Sequence, residues 1–253
     1  MRKLLVFELF KMRKRKSMYI CTGVMLGMFL LNLFTGYAMM SMVSEDMALI
    51  MGMPTTMNSS MLMAANFSSF TQIAGIFIAI YVCEDYGQKT IKNVYSRGFS
   101  RTGVYFSKLL MCLIYAVASF VIVVLFALLF GGSMFGFKAE GEHIAVLLLG
   151  QLSVCIASVS FAFAISFMVR KLGAAIPIVI FVPLAITLVL GLADVVINSE
   201  TISLSNYWLD GMLANLSTSF ATAEQRLVGC ILPVVYSALF ITVGFFVHRK
   251  SEV

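Results

Sequence analysis

Charge is what this chain has least of. Only 12% of its 253 residues are Asp, Glu, Lys or Arg, against 60% hydrophobic, and the mean hydropathy is +0.97. That leaves too little polar surface to cover the chain in water, so an ordinary soluble domain is excluded. The polar and charged excess of disordered chains is missing, and so are the dense cysteines of disulfide-rich secreted scaffolds. The alternating polar and apolar pattern of a membrane β-barrel is also absent. Five cysteines (Cys21, Cys83, Cys112, Cys155, Cys230) fall within or at the edge of apolar stretches, so they read as small packing residues rather than a disulfide framework. No HExxH motif, paired intramembrane aspartates or serine with a base partner suggests hydrolysis, and His143 and His248 both stand at the ends of apolar stretches. What remains is an integral membrane protein.

A spanning helix needs about 20 predominantly apolar residues. Six stretches qualify: Met18 to Met40, Met61 to Cys83, Leu109 to Phe130, Ile144 to Val169, Leu172 to Ile197 and Leu227 to Val247. The second is the least clean, because Asn66, Ser68, Ser69, Thr71 and Gln72 make its outer half polar. Helices satisfy every backbone group within one segment, which favours an all-α bundle of six spans with both termini on one side. Sixteen of the eighteen basic residues, all but Lys138 and Arg226, fall on one face of that topology. By the positive-inside rule this face is cytoplasmic. The net charge of +6 is therefore a topology signal rather than a nucleic-acid one. A signal peptide does not fit the first stretch, since the basic region runs through Lys16 and no small-residue cleavage site follows Met40.

Residues 1–16 read as an amphipathic helix lying on the cytoplasmic membrane surface, with Leu5, Val6, Leu9 and Phe10 on one side and Glu8 and Lys11 opposite. The richest stretch is the cytoplasmic loop 84–108. Two acids, Glu84 and Asp85, close a span; Gly87 follows, then polar and basic residues mixed with Ile91, Val94 and Tyr95 at helical spacing. Gly98 with Ser100 reads as a helix stop followed by a new N-cap. Gly87-Gln88-Lys89-Thr90 superficially suggests a phosphate loop, but the Gly-Lys-Thr adjacency is broken, so ATP would have to be used by a separate subunit.

Glu84, Gly87, Thr90, Gly98, Ser100-Arg101 and Lys108, with the six-span topology and the amphipathic start, resemble the ABC exporter permeases of the second class, which include drug, bacteriocin-immunity and polysaccharide export permeases. The resemblance covers essentially the whole chain. It implies that 84–108 holds a coupling helix seated in an ABC ATPase subunit, with Glu84, Asp85, Tyr86, Gly87, Lys89, Thr90 and Lys92 as contacts and Arg101 and Lys108 anchored at the headgroups. It further implies a single transmembrane domain over 1–253 without a nucleotide-binding domain, two ATPase copies carrying ATP and Mg, and a second permease as homodimer or heterodimer. Short extracellular helices are expected within 198–226, and Phe70, Ile73, Phe77, Phe181 and Leu184 would line the path of a hydrophobic or amphipathic cargo, such as an antimicrobial peptide or drug. The location would be a bacterial plasma membrane.

Asp194 is the sole charged residue within a span, a poor proton relay, which argues against a secondary transporter; that class, or a channel, is the alternative reading. Pro177 and Pro183 in the fifth span and Pro233 in the sixth would kink their helices. Gly23 and Gly27, like Ser153, Ala157, Ser160 and Ala164, suggest close helix packing. Nine methionines crowd 39–63, which suits either a repackable apolar vestibule or Cu(I) capture.

Overall fold

The computed structural model describes residues 2–42, 67–88, 90–135, 144–197, 203–217 and 223–250. These residues are helical, with no strand among them. In chain order the elements are α1 (Arg2–Lys14), α2 (Lys16–Met42), α3 (Phe67–Gly87), α4 (Thr90–Ser96), α5 (Arg101–Phe126), α6 (Ile144–Val169), α7 (Leu172–Ile197), α8 (Leu209–Ser217) and α9 (Ala223–Lys250). A π-helical turn, Ala127–Gly131, extends α5 into a last turn, Gly132–Phe135, and a 3-10 turn, Leu204–Tyr207, precedes α8.

Among the described residues, five helical segments are long and apolar enough to cross a membrane: Lys16–Thr35, Arg101–Gly131, Val146–Val169, Leu172–Ile197 and Leu227–Arg249. The second expected span, Met61 to Cys83, lies partly outside the described residues. Its described part is the 21-residue α3, whose first turns carry the polar Thr71 and Gln72. The methionine-rich 39–63 segment also lies almost entirely outside them.

Helices α3 and α6 form the centre. Ala74, Phe77, Ile78, Ala79, Tyr81 and Val82 of α3 are 0% exposed, as are Cys155, Ala157, Val159, Ala162, Phe163 and Phe167 of α6. Lipid tails are as apolar as these side chains, so the core is held by close packing more than by exclusion of water. The small residues of α6 permit this. Ala164 lets α9 approach until a Cβ on Gly244 would lie 3.2 Å from the Ala164 Cα, and the Ser153 hydroxyl lies 3.3 Å from the Gly229 carbonyl. At the periphery, α2 buries every fourth residue, Cys21, Met25, Phe29 and Leu33, and exposes a broad face that includes Ile20, Val24, Met28 and Leu31. Gly23 and Gly27 are on its exposed side, and a Cβ at either would meet nothing within 4 Å among the described residues.

The inner ends of five helices meet at one residue. His248, near the end of α9, packs on Tyr105 of α5 and Phe167 of α6, and its two ring nitrogens face the Tyr86 hydroxyl of α3 and the Tyr95 hydroxyl of α4 at 3.5 and 3.3 Å. At the opposite end α8 is not a loose cap. Leu209, Met212, Leu213 and Leu216 are buried, and Leu216 fits against Gly150 and Gly229, where added Cβ atoms would stand 2.9 and 3.2 Å from it. Gly211 has the tightest requirement, since a Cβ there would overlap the Ser205 carbonyl of the preceding turn. A backbone obstacle cannot rotate away, so Gly211→Ala should displace α8 and lower stability by about 1–3 kcal/mol, whereas Gly27→Ala should stay within about 0.5 kcal/mol. Thermal unfolding of the two variants in detergent checks this contrast.

Candidate functional site

The cytoplasmic end is built on a cluster of charges that joins α1, α3 and α5. Lys108 on α5 is 1% exposed. Its ammonium pairs with Asp85 at the end of α3 and lies 3.0 Å from Glu8 Oε1 on α1. The Tyr81 hydroxyl donates to Glu8 Oε2 at 2.5 Å, and the Tyr81 ring lies under both Lys108 and Arg15, 5.0 and 5.1 Å from its centroid. Lys11 and Arg15 each reach Asp85 Oδ1 at 2.5 Å, and Arg15 also reaches Glu84 Oε2 at 2.7 Å. Three cations and three carboxylates thus balance in a space closed to solvent on the Lys108 side.

This arrangement explains how α1 lies. Its sequence has two faces, and the polar one turns inward: Leu4, Glu8 and Met12 are buried, while Val6, Phe7, Leu9 and Phe10 are 47–64% exposed. An apolar face left outward suits a helix bordering lipid, with its charges spent on the protein. Burial is expensive for an ion unless it is paired and hydrogen-bonded. Burial pushes the Asp85 carboxyl up, but Lys108 and Lys11 outweigh it and hold the group below its ordinary value. For Lys11, burial and the neighbouring Lys108 charge prevail and push its ammonium down.

The loop that follows is anchored to the cluster. The Thr90 hydroxyl donates to the Asp85 carbonyl at 3.1 Å, starting α4, and Ile91 is buried beneath it. Gly98 ends the turn after α4 with φ +83°, a left-handed conformation that glycine adopts without strain. Ser100 then caps α5, its hydroxyl accepting from the Gly103 amide at 3.1 Å, as the spacing of Gly98 and Ser100 predicts. Tyr95 on the inner side of α4 reaches His248, and burial pushes its phenol up, so it keeps its proton. The outer side of this segment exposes Gly87, Gln88, Lys92, Asn93, Ser96 and Arg97.

The expected contact residues therefore divide. Gly87 and Lys92 are exposed and Glu84, Tyr86 and Thr90 are partly so, whereas the Asp85 side chain is enclosed; Lys89 lies outside the described residues. Arg101 is exposed, but Lys108, expected at the headgroups, is instead the enclosed centre of the charge cluster, because two carboxylates draw it inward. Of the expected path residues, Phe70 and Phe77 are packed in the chain's own core, Ile73 is half-buried, and Phe181 and Leu184 are exposed on α7. Sequence reading missed Glu8, Lys11, Arg15 and Tyr81 as partners. The available signal was that Glu8 and Asp85 are acids on a face dominated by basic residues, so each needs a basic partner there. Among the described residues no group of three or more His, Cys, Asp or Glu could hold a metal ion.

A family model described as ABC-2 family transporter protein matches residues 4–194. That range includes α1, the charge cluster, α4 and α5. No curated protein and no solved structure matches the chain.

Removing Lys108 would leave Glu8 and Asp85 facing each other, so Lys108→Met should lower stability by about 3–5 kcal/mol. Glu8→Leu combined with it should recover about 1–3 kcal/mol of that loss, read from a thermal-unfolding double-mutant cycle. Asp85 also sets an acid limit. Its folded value is below its unfolded one, so its contribution is complete above about pH 4 and is lost as pH falls through the folded value. The melting temperature should therefore drop below about pH 4, with a smaller drop in that range in Asp85→Asn.

Proposed function

The chain belongs to the ABC-2 family of transporter proteins, and we propose that it is the permease subunit of an ATP-driven exporter that moves a hydrophobic or amphipathic cargo out of a bacterial cell. Its role is transport rather than catalysis, and it is a multi-pass protein of the plasma membrane. In this proposal the chain makes six spans with both termini inside. It pairs with a second permease, and two ATPase subunits bind ATP and Mg and perform the hydrolysis.

The observation that carries the reading is the double tether of α4. One face of this short cytoplasmic helix is fixed inward, by Thr90 to the end of α3, by buried Ile91, and by Tyr95 to the end of α9. Its other face offers Lys92, Asn93, Ser96 and Arg97 to a partner. A helix held this way can pass a push from outside to α3, α5 and α9 together, because His248 packs on all their inner ends. Closure of the ATPases would press on Gly87 and Lys92, with Glu84, Tyr86, Lys89 and Thr90 around them, and switch the cavity from inward to outward access. Asp85 would act from within, by holding the tether. Arg101 remains the candidate headgroup anchor.

Cargo would pass between two permeases along the least buried faces, where α7 exposes Phe181, Leu184, Leu188 and Leu192. A lipid-like wall of this kind favours an antimicrobial peptide or an apolar drug over a polar solute.

Reversing the outer charges of α4 with Lys92→Glu and Arg97→Glu should abolish co-purification of the ATPase and reduce ATP-dependent transport at least tenfold, while the melting temperature of the permease stays the same. Cargo movement in liposomes that contain no ATPase would defeat the exporter reading.

A further inference from the structure

Away from the charge cluster, α3, α6, α7 and α8 enclose a small cavity of about 30 Å³ at the opposite end of the bundle. Its walls include Thr71, Gln72, Ser158, Val179, Pro183 and Asp210. That is room for one or two groups the size of a water molecule. We propose that this cavity is a subsite for the primary ammonium group of an amphipathic cargo, with Asp210 as its counter-ion. The inference deepens the exporter reading and rests on it for the identity of the ligand as cargo.

The chemistry of the walls supports a cation with several N–H donors. A carboxylate has about four acceptor positions. The Thr187 hydroxyl lies 2.9 Å from Asp210 Oδ2 but also 3.0 Å from the Pro183 carbonyl, so one proton is shared between two acceptors. The ion pairs among the described residues all belong to the cytoplasmic cluster, and none involves Asp210. Other wall groups are acceptors too. Ser158 directs its proton to the Val154 carbonyl at 3.0 Å, which leaves its lone pairs for the cavity side. Pro183 has no N–H, so the Val179 carbonyl one turn earlier loses its usual helical donor, and both residues border the cavity. Gln72 is exposed and adds an amide oxygen.

Asp194, the other acid at this end whose side chain is described, is different. Its two oxygens accept from the Leu204 and Ser205 amides at 2.5 and 3.0 Å, so it is committed to holding the 3-10 turn. Among the described acids at this end, Asp210 is therefore the one available to meet a cation. The remaining wall residues, Gly75, Phe161 and Leu209, are apolar, and Pro183 of the wall adjoins the exposed Leu184 on α7, which suits an alkyl or apolar body behind a charged head. An ammonium offers three donors to this set of acceptors. A trimethylated head offers none and is too large for the space.

The sole tryptophan, Trp208, stands two residues before Asp210 and provides the reporter. The full-length permease in phosphatidylcholine nanodiscs, without ATPase, is titrated with dodecylammonium, dodecyltrimethylammonium, dodecanol and NaCl while tryptophan fluorescence is followed. Dodecylammonium should give a saturable change that is weakened at least tenfold in Asp210→Asn, with dodecyltrimethylammonium and dodecanol giving none that saturates. Equal binding by Asp210→Asn, or by the trimethylated head, would overturn the proposal. NaCl alone producing the same saturable change would reassign the cavity to an inorganic cation and also overturn it. Should Asp210→Asn fail to fold, Thr187→Val and Gln72→Leu each test the cavity with the carboxylate in place. Several-fold weaker binding in both supports the subsite, and unchanged binding in both overturns it. Because no ATPase is present, saturable binding with no ATP-driven transport in the assembled complex would strike the exporter reading alone, while transport with no Asp210-dependent binding would strike only this site.

Discussion

An ammonium group closed off from water can be kept in a protein only by surrounding it with carboxylates, and at the cytoplasmic end of this chain that condition is met around Lys108. Glu8 and Asp85 come from different helices, and each must be close for the other contacts to be worth their desolvation. Satisfying one buried lysine therefore fixes α1 against α5 and sets the end of α3. Lys11, Arg15 and the Tyr81 ring complete the balance. The entry to α4 follows directly, because Thr90 is bonded to the carbonyl of the same Asp85 whose side chain holds Lys108.

The charge cluster and the aromatic contacts of His248 bound α4 on two sides. One links α4 to the N-terminal half of the chain, the other to α9 and the inner ends of α5 and α6. A short helix with only its outer face free has little freedom to move by itself. In the proposed exporter, that is how a force delivered at Lys92 and Arg97 would move several spans as a unit. The burial pattern agrees with this division of labour: α3 and α6 form a stiff centre, while α2 and α7 lie at the rim with most of their side chains outward.

The opposite end follows another rule. There glycines admit close neighbours, the Leu216 side chain against Gly150 and Gly229, and the Ser205 backbone against Gly211. Close packing of small residues replaces ion pairing, and it draws α8 into the bundle. The acceptor-lined cavity beside Asp210 is a consequence, since α8 brings a carboxylate to a proline-interrupted stretch of α7 and the polar first turns of α3. A proposed cation head at one end and an apolar α7 face beside it would together select for amphipathic cargo.

Much of this was legible in the chain itself. The fourth and fifth apolar stretches coincide with α6 and α7, the asymmetry of basic residues marks one face, and Gly98 followed by Ser100 foretells the end of α4 and the cap of α5, because each of these is decided by local residues and their immediate solvent. The two faces of α1 were visible too, but not their direction. Local pattern cannot say whether Glu8 meets water or a lysine far along the chain. For the same reason the enclosure of Lys108, Phe70 and Phe77 within the chain was not visible in the sequence. By itself the sequence determined the membrane class and the apolar helical stretches, since composition and periodicity suffice for these. Only the tertiary structure decided which charges pair, which glycines meet a neighbour and where Asp210 stands, because these depend on which distant helix faces which.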